Sequence, residues 1–118
     1  MNNIKKRITG SVLGLAVTGL VATAPVMADN LRMSFIVKDM TNPYYWRMGD
    51  GAKAVAAELG IDLSFVSAKV NGDIEGQILV VETELVKSPD AIILVPINGT
   101  ALIPKVMEAN SMGIPVIT

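Results

Sequence analysis

Between Lys38 and Trp46 the chain runs Lys-Asp-Met-Thr-Asn-Pro-Tyr-Tyr-Trp, which brings a cation, an acid, an amide and three aromatic rings together. The chain has only five aromatic residues in all, so three of them sit in this one stretch. The chemistry these types support is recognition of a small polar ligand. Asn42 offers both a donor and an acceptor, which suits a hydroxyl-bearing molecule. Tyr44 and Tyr45 are adjacent, so on a helix they point about 100° apart, and one faces a crevice while the other packs inward. An aromatic ring stacked on the C–H face of a sugar buries apolar area without competing for its hydroxyl hydrogen bonds. Lys38 can donate to a ligand oxygen, and Asn98, at the end of a later apolar run, supplies a second amide. Each also has a plainer role. Asn42 and Asn98 can simply cap helices, Lys38 can be solvated or paired with Asp39, and Trp46 can be a partly buried support.

Signatures of turnover are scarce. The chain has no G-x-S-x-G elbow, no G-x-x-x-x-G-K-[S/T] phosphate loop and no G-x-G-x-x-G after the first strand-like run. Gly49-Asp50-Gly51 falls inside a predicted helix. Asp39 is the one acid at the same end as the aromatic cluster, and a lone acid without a partner does not make a catalytic site. Cysteine and histidine are both absent, which removes thiolate chemistry, disulfides and the commonest metal ligand. No metal and no organic cofactor is implied.

Lys5, Lys6 and Arg7 precede an uncharged segment, Ile8 to Ala28, that closes in Pro25-Val26-Met27-Ala28. A basic start, an apolar middle and small residues before Asp29 make a secretory signal peptide with cleavage after Ala28. The segment is just long enough to span a bilayer, but three glycines, four Ser/Thr residues and Pro25 dilute it. Removal is the expectation, with residues 1–28 as leader and 29–118 as the mature, secreted part. All 11 acidic residues but only 7 of the 10 basic ones lie in 29–118, a net charge of −4. A mildly acidic domain with no basic run is a poor nucleic-acid binder. Membrane contact is then expected only through the leader or a membrane partner.

Apolar periodicity predicts the elements that hold these residues. Leu31–Val37 is a short β-prone run. Tyr45, Met48, Ala52, Val55, Ala56 and Leu59 form a helical stripe opened by Asn42-Pro43 and closed by Gly60. Asp62–Ser67 is a second strand. Asp73 caps a second helix with Ile74, Ile78, Val81 and Leu85 on one stripe, while Glu75, Glu82, Glu84 and Lys87 lie elsewhere. Ala91–Val95, the most apolar run, is expected to be central and covered on both faces. Pro96 to Thr100 leads into a third helix that ends near Met112-Gly113, and Ile114–Thr118 is a fourth strand. Regular alternation predicts an α/β fold: an open parallel sheet, order 2-1-3-4, with helices on both faces and right-handed crossovers. Ligand contacts then cluster after strands one and three, in Lys38–Trp46 and Pro96–Thr100.

The run Phe35-Ile36-Val37-Lys38-Asp39-Met40-Thr41-Asn42-Pro43-Tyr44-Tyr45, with Met48 and Gly51-Ala52 downstream, resembles the opening of the periplasmic sugar-binding proteins of ABC importers, of the ribose, galactose and xylose type. Pro89–Leu94 and Ala109–Thr118 are similar to the third and fourth strands of that family, so the resemblance spans the mature residues. Its specific part is the Asn-Pro-aromatic-aromatic turn. The resemblance implies that Asn42 hydrogen-bonds sugar hydroxyls, that Tyr44 and Tyr45 supply aromatic contacts and that Lys38 stands at the ligand. Relatives often carry a small hydroxyl residue at that position, so Lys38 implies a substrate with an extra acceptor. The family is type I, two-lobed and hinged, and partners an ABC permease in the membrane. The 118 residues then read as an N-terminal-lobe portion that binds a monosaccharide or polyol weakly alone, since hinge closure needs two lobes. The alternatives are a sugar-sensing lobe feeding a chemoreceptor and, from another class, a small secreted α/β enzyme acting on carbohydrates.

Overall fold

The computed structural model describes residues 29–118 and Gly14, so the leader expected over residues 1–28 lies, that glycine aside, outside the described residues. Seven elements follow one another: β1 (Arg32–Val37), α1 (Pro43–Leu59), β2 (Asp62–Ser67), α2 (Ile74–Val86), β3 (Ala91–Leu94), α3 (Gly99–Ser111) and β4 (Val116–Ile117). The strands form one parallel sheet in the order β2-β1-β3-β4, the predicted order. β1 therefore meets β2 on one side and β3 on the other, and the carboxyl ends of β1 and β3 flank the point where the winding reverses.

Local chemistry accounts for the boundaries. The Asn42 side chain accepts the Tyr44 N–H and Pro43 opens α1, where a missing N–H costs nothing. Gly60 ends the helix at φ 68°, ψ 30°, a left-handed conformation that a side chain would strain, while its N–H returns to Ala56 and Ala57. β4 is shorter than the predicted Ile114–Thr118. The Ile114 N–H is taken by the Ala109 carbonyl and Pro115 has no N–H, so pairing starts late.

The two faces of the sheet are covered unequally. Ile36, Ile92 and Leu94 pack under α2 and α3 against Val81, Leu85, Leu102 and Ala109. Phe35 and Val37 face α1 and meet Tyr45, with Met48, Ala52, Leu63, Phe65 and Ile93 around them. This arrangement corrects three expectations. β3 is interior, as expected, but its cover is incomplete on one face, where Ile93 is only half-buried, so β1 is the more completely buried strand. Val55 and Leu59 are exposed, and Gly49 takes their place against the sheet. Glu84, expected away from the apolar stripe, is buried under the sheet.

Glu84 is accommodated by a complete polar network. One carboxylate oxygen accepts the Ser34 hydroxyl at 2.7 Å and the other meets the Lys87 ammonium at 2.6 Å. Burial alone would raise its pKa, but the hydrogen bonds from Lys87, Ser34 and Ser64, with the Lys87 charge, more than reverse this and lower it. A lowered folded pKa contributes stability above the unfolded value of 4.5 that is lost as pH falls through the folded one. The melting temperature of Glu84→Gln, compared with the parent, should therefore lie furthest below it near neutrality and close on it as pH drops below 4.5. A gap that stays constant into acid would show that the Glu84 charge contributes nothing.

Candidate functional site

Beyond Val37 the chain turns around Asp39. This residue is 2% exposed, and one of its carboxylate oxygens accepts from the Thr41 hydroxyl at 2.7 Å, the Thr41 N–H at 2.9 Å and the Asn42 N–H at 3.1 Å. The Thr41 hydroxyl foremost holds Asp39 below the usual carboxylate range, with both backbone N–H groups adding and burial opposing. The charge beside the α1 N-terminus is also favourable for the helix dipole. Asp39 is thus committed to shaping the loop. Lys38 is half-buried and forms none of the ion pairs found among the described residues, so of its plainer roles pairing with Asp39 is not the one adopted.

Asn42 follows in extended backbone, φ −88° and ψ 123°, and its side-chain oxygen takes the Tyr44 N–H at 2.9 Å. Capping occupies the oxygen alone, and no hydrogen bond among the described residues engages the side-chain nitrogen. The two tyrosines divide as their spacing requires. Tyr44 is 63% exposed at the mouth, while Tyr45 is buried beside Phe35 and Val37. Their rings meet edge to face, 5.3 Å apart at 79°. Burial first, then the charge of Asp39, raises the Tyr45 pKa, so its hydroxyl stays protonated. Trp46, expected as a partly buried support, is half exposed, yet its indole N–H donates to the Met40 carbonyl and braces the loop.

Asn98 stands at the carboxyl end of β3 and caps α3, accepting the Ala101 N–H at 2.9 Å. The sheet order places Asn42 and Asn98 at the same end, on the two loops that leave adjacent interior strands. Between these loops lies a residue that the sequence reading did not single out. Gln77 of α2 is fully buried, and its amide nitrogen donates to the carbonyls of Val95 and Val37 while its oxygen accepts the Ile97 N–H. The signal was present in the pattern. Gln77 and Glu84 are polar residues at helical spacing from Ile74, Val81 and Leu85, on the face that must meet the sheet.

The carboxyl end therefore carries an exposed ring, an amide nitrogen that no described residue engages and a half-buried lysine, on loops held by the hydrogen bonds of Asp39 and Gln77. A cavity of about 810 Å³ lies at the opposite end, lined by Asp29, Arg32, Asp62 and Asp90 among others. Its opening is away from both loops, and Asp90 already accepts the Arg32 N–H. A parallel sheet wound in this order is an open α/β lobe, the class of fold in which ligands lie at the switch point beyond the carboxyl ends of the strands.

A family model described as periplasmic binding protein domain matches residues 33–118, and the chain belongs to that family. A D-ribose/D-allose-binding protein of Pseudomonas aeruginosa is 30% identical over 117 residues, which cover 95% of this chain and 37% of that one. A xylitol-binding protein of Mycolicibacterium smegmatis is 33% identical over 105 residues, covering 89% of this chain and 29% of that protein. The chain thus spans well under half the length of either relative. Among solved structures, a periplasmic solute binding protein of an ABC transporter from Actinobacillus succinogenes, with bound D-allose, is similar at TM-score 0.71 and 31% identity, over 74% of this chain and 30% of that one. A solute binding protein from Agrobacterium vitis, bound with α-D-tagatopyranose, is similar at TM-score 0.69 and 31% identity, over 74% of this chain and 29% of that one.

Proposed function

We propose that this chain is a portion of the N-terminal ligand-binding lobe of a periplasmic solute-binding protein, and that the whole protein captures a monosaccharide or polyol and delivers it to an ABC permease. The observation that carries the reading is the turn after β1. There a braced loop carries Asn42 and Tyr44, both exposed and two residues apart, in a family whose members here are named for ribose, allose and xylitol. The ring takes the C–H face of the ligand, and the amide donates to a hydroxyl oxygen. Lys38 donates to a further oxygen, Asn98 contacts from the β3 side and Tyr45 supports Tyr44 from beneath. The leader over residues 1–28 directs export. Binding, not turnover, is the activity, in keeping with relatives that are named as binding proteins.

The test is a ligand panel of pentoses, hexoses and pentitols offered to the complete gene product. Saturable change in Tyr/Trp fluorescence is expected, with a rise in Tm for the same ligands, since a ligand at a hundred times its Kd stabilises by about 2.7 kcal/mol. Neither signal with any member of the panel, or hydrolysis of a sugar ester or phosphate, would overturn the proposal.

A further inference from the structure

The backbone ladder between β1 and β3 ends where the Val95 N–H donates to the Ile36 carbonyl at 2.8 Å. The next rung is made by a side chain. Gln77 reaches up from α2, and its amide nitrogen donates to Val95 O at 2.9 Å and to Val37 O at 3.3 Å, one hydrogen for each strand. Its oxygen accepts the Ile97 N–H at 2.7 Å, which fixes the segment between Leu94 and the Asn98 cap. An amide is the one side-chain group that offers two N–H donors and an acceptor in a single plane. Gln77 is 0% exposed, and no buried side-chain polar atom among the described residues lacks a partner. Loss of the bond to Val37 O would leave a buried carbonyl without that partner, and loss of the other two would free partly buried groups of the Val95–Ile97 segment.

We propose that Gln77 is the positioning residue of the ligand site: it sets the separation of the two loops that carry Asn42 and Asn98, and through that separation the affinity for ligand. The inference rests on the sugar-binding reading for its functional half. Its structural half, control of loop separation, stands independently. Gln77 touches no ligand. It acts through Val37, which precedes Lys38, and through Ile97, which precedes Asn98, so a shift at either carbonyl or N–H moves a contact residue directly. Misplacement on the order of 1 Å at such a distance from the chemistry is enough for large losses.

Two variants separate positioning from general stability. Gln77→Glu keeps the acceptor for Ile97 but sets a carboxylate against two carbonyls, whereas Val81→Ala trims the same helix within the core without touching the loops. The chain has no cysteine of its own, so Arg47→Cys and Thr100→Cys, both at exposed positions near the starts of α1 and α3, take a pair of spin labels. In the complete gene product the parent and Val81→Ala should give the same narrow label-to-label distance. Gln77→Glu should give a broadened one, with affinity for the bound sugar or polyol down about tenfold or more. Gln77→Glu matching Val81→Ala in both distance and affinity would overturn the proposal. If no ligand binds the parent, the sugar reading fails, while the label distances still decide whether Gln77 holds the loops. If Gln77→Glu does not fold, amide exchange in the parent decides. Strong protection of the Ile97 N–H supports the rung, and exchange at the rate of an open loop overturns it.

Discussion

Asn42→Ser in the complete gene product should lower sugar affinity about a hundredfold while leaving Tm within about 2 °C of the parent. On the proposed reading Asn42 caps α1 and donates to the ligand, and the substitution keeps only the cap. Serine ranks with asparagine as a helix cap, so the Tyr44 N–H retains an acceptor and α1 begins where it did. The amide nitrogen, which no described residue engages, is deleted. A hundredfold loss corresponds to about 2.7 kcal/mol, within the range for leaving a desolvated ligand oxygen without its donor. Asn42→Ala is the companion variant, and it should lose the same affinity together with roughly 1 kcal/mol of stability from the cap. Titration of both variants by fluorescence, beside their thermal melts, reads the two roles separately. Unchanged affinity in Asn42→Ser would reduce Asn42 to a cap.

Valine at position 49 should be among the most destabilising single changes in the domain, while valine at position 51 should be close to neutral. Both glycines lie in α1, and helix propensity treats them alike. Their surroundings differ. A Cβ on Gly49 would overlap three atoms of the Phe65 ring, two of them at 2.7 and 2.9 Å, whereas one on Gly51 would meet nothing within 4 Å. The ring is half-buried, and two neighbours limit its retreat. It stands edge-on to Phe35 with centroids 5.3 Å apart, and Lys53 lies over its face. Overpacking of this kind costs about 1–3 kcal/mol, and valine recovers less than about 1 kcal/mol of helix propensity. Against a total stability of roughly 0.05–0.15 kcal/mol per residue, that is a large fraction for a domain of this length. Urea unfolding midpoints give the comparison, and equal midpoints for the two variants would refute the close approach of α1 to β2.

The fold was legible in the sequence because its signals are local and repeated. Alternating strand-like and helix-like runs, Asn42-Pro43 and Asp73 at helix starts, and Gly60 at a helix end leave few topologies open, and the right-handed crossover rule selects among them. The location of the candidate site followed from the same topology. Individual side chains were harder, because their roles depend on partners far along the chain. Glu84 and Ser34 are separated by 50 residues, and Gln77 and Val37 by 40. No window of sequence shows that a glutamate on a helix will find a serine on a strand. The faces of α1 were misjudged for a related reason. Hydrophobicity nominated Val55 and Leu59, but close approach to the sheet favoured Gly49, whose lack of a side chain admits Phe65.

The parallel arrangement also governs how quickly the molecule can assemble. Arg32 finds its partner at Asp62, Met33 at Ala91, and no strand can pair with its sequence neighbour through a tight hairpin. Every ladder must wait for an entire intervening crossover, and the entropy of closing these long loops is lost before any contact rewards it. Slow acquisition of structure would suit the export proposed for the leader over residues 1–28, which needs a chain that is still unfolded. The same delay leaves β1, the first strand to emerge, open to the wrong partner for longest.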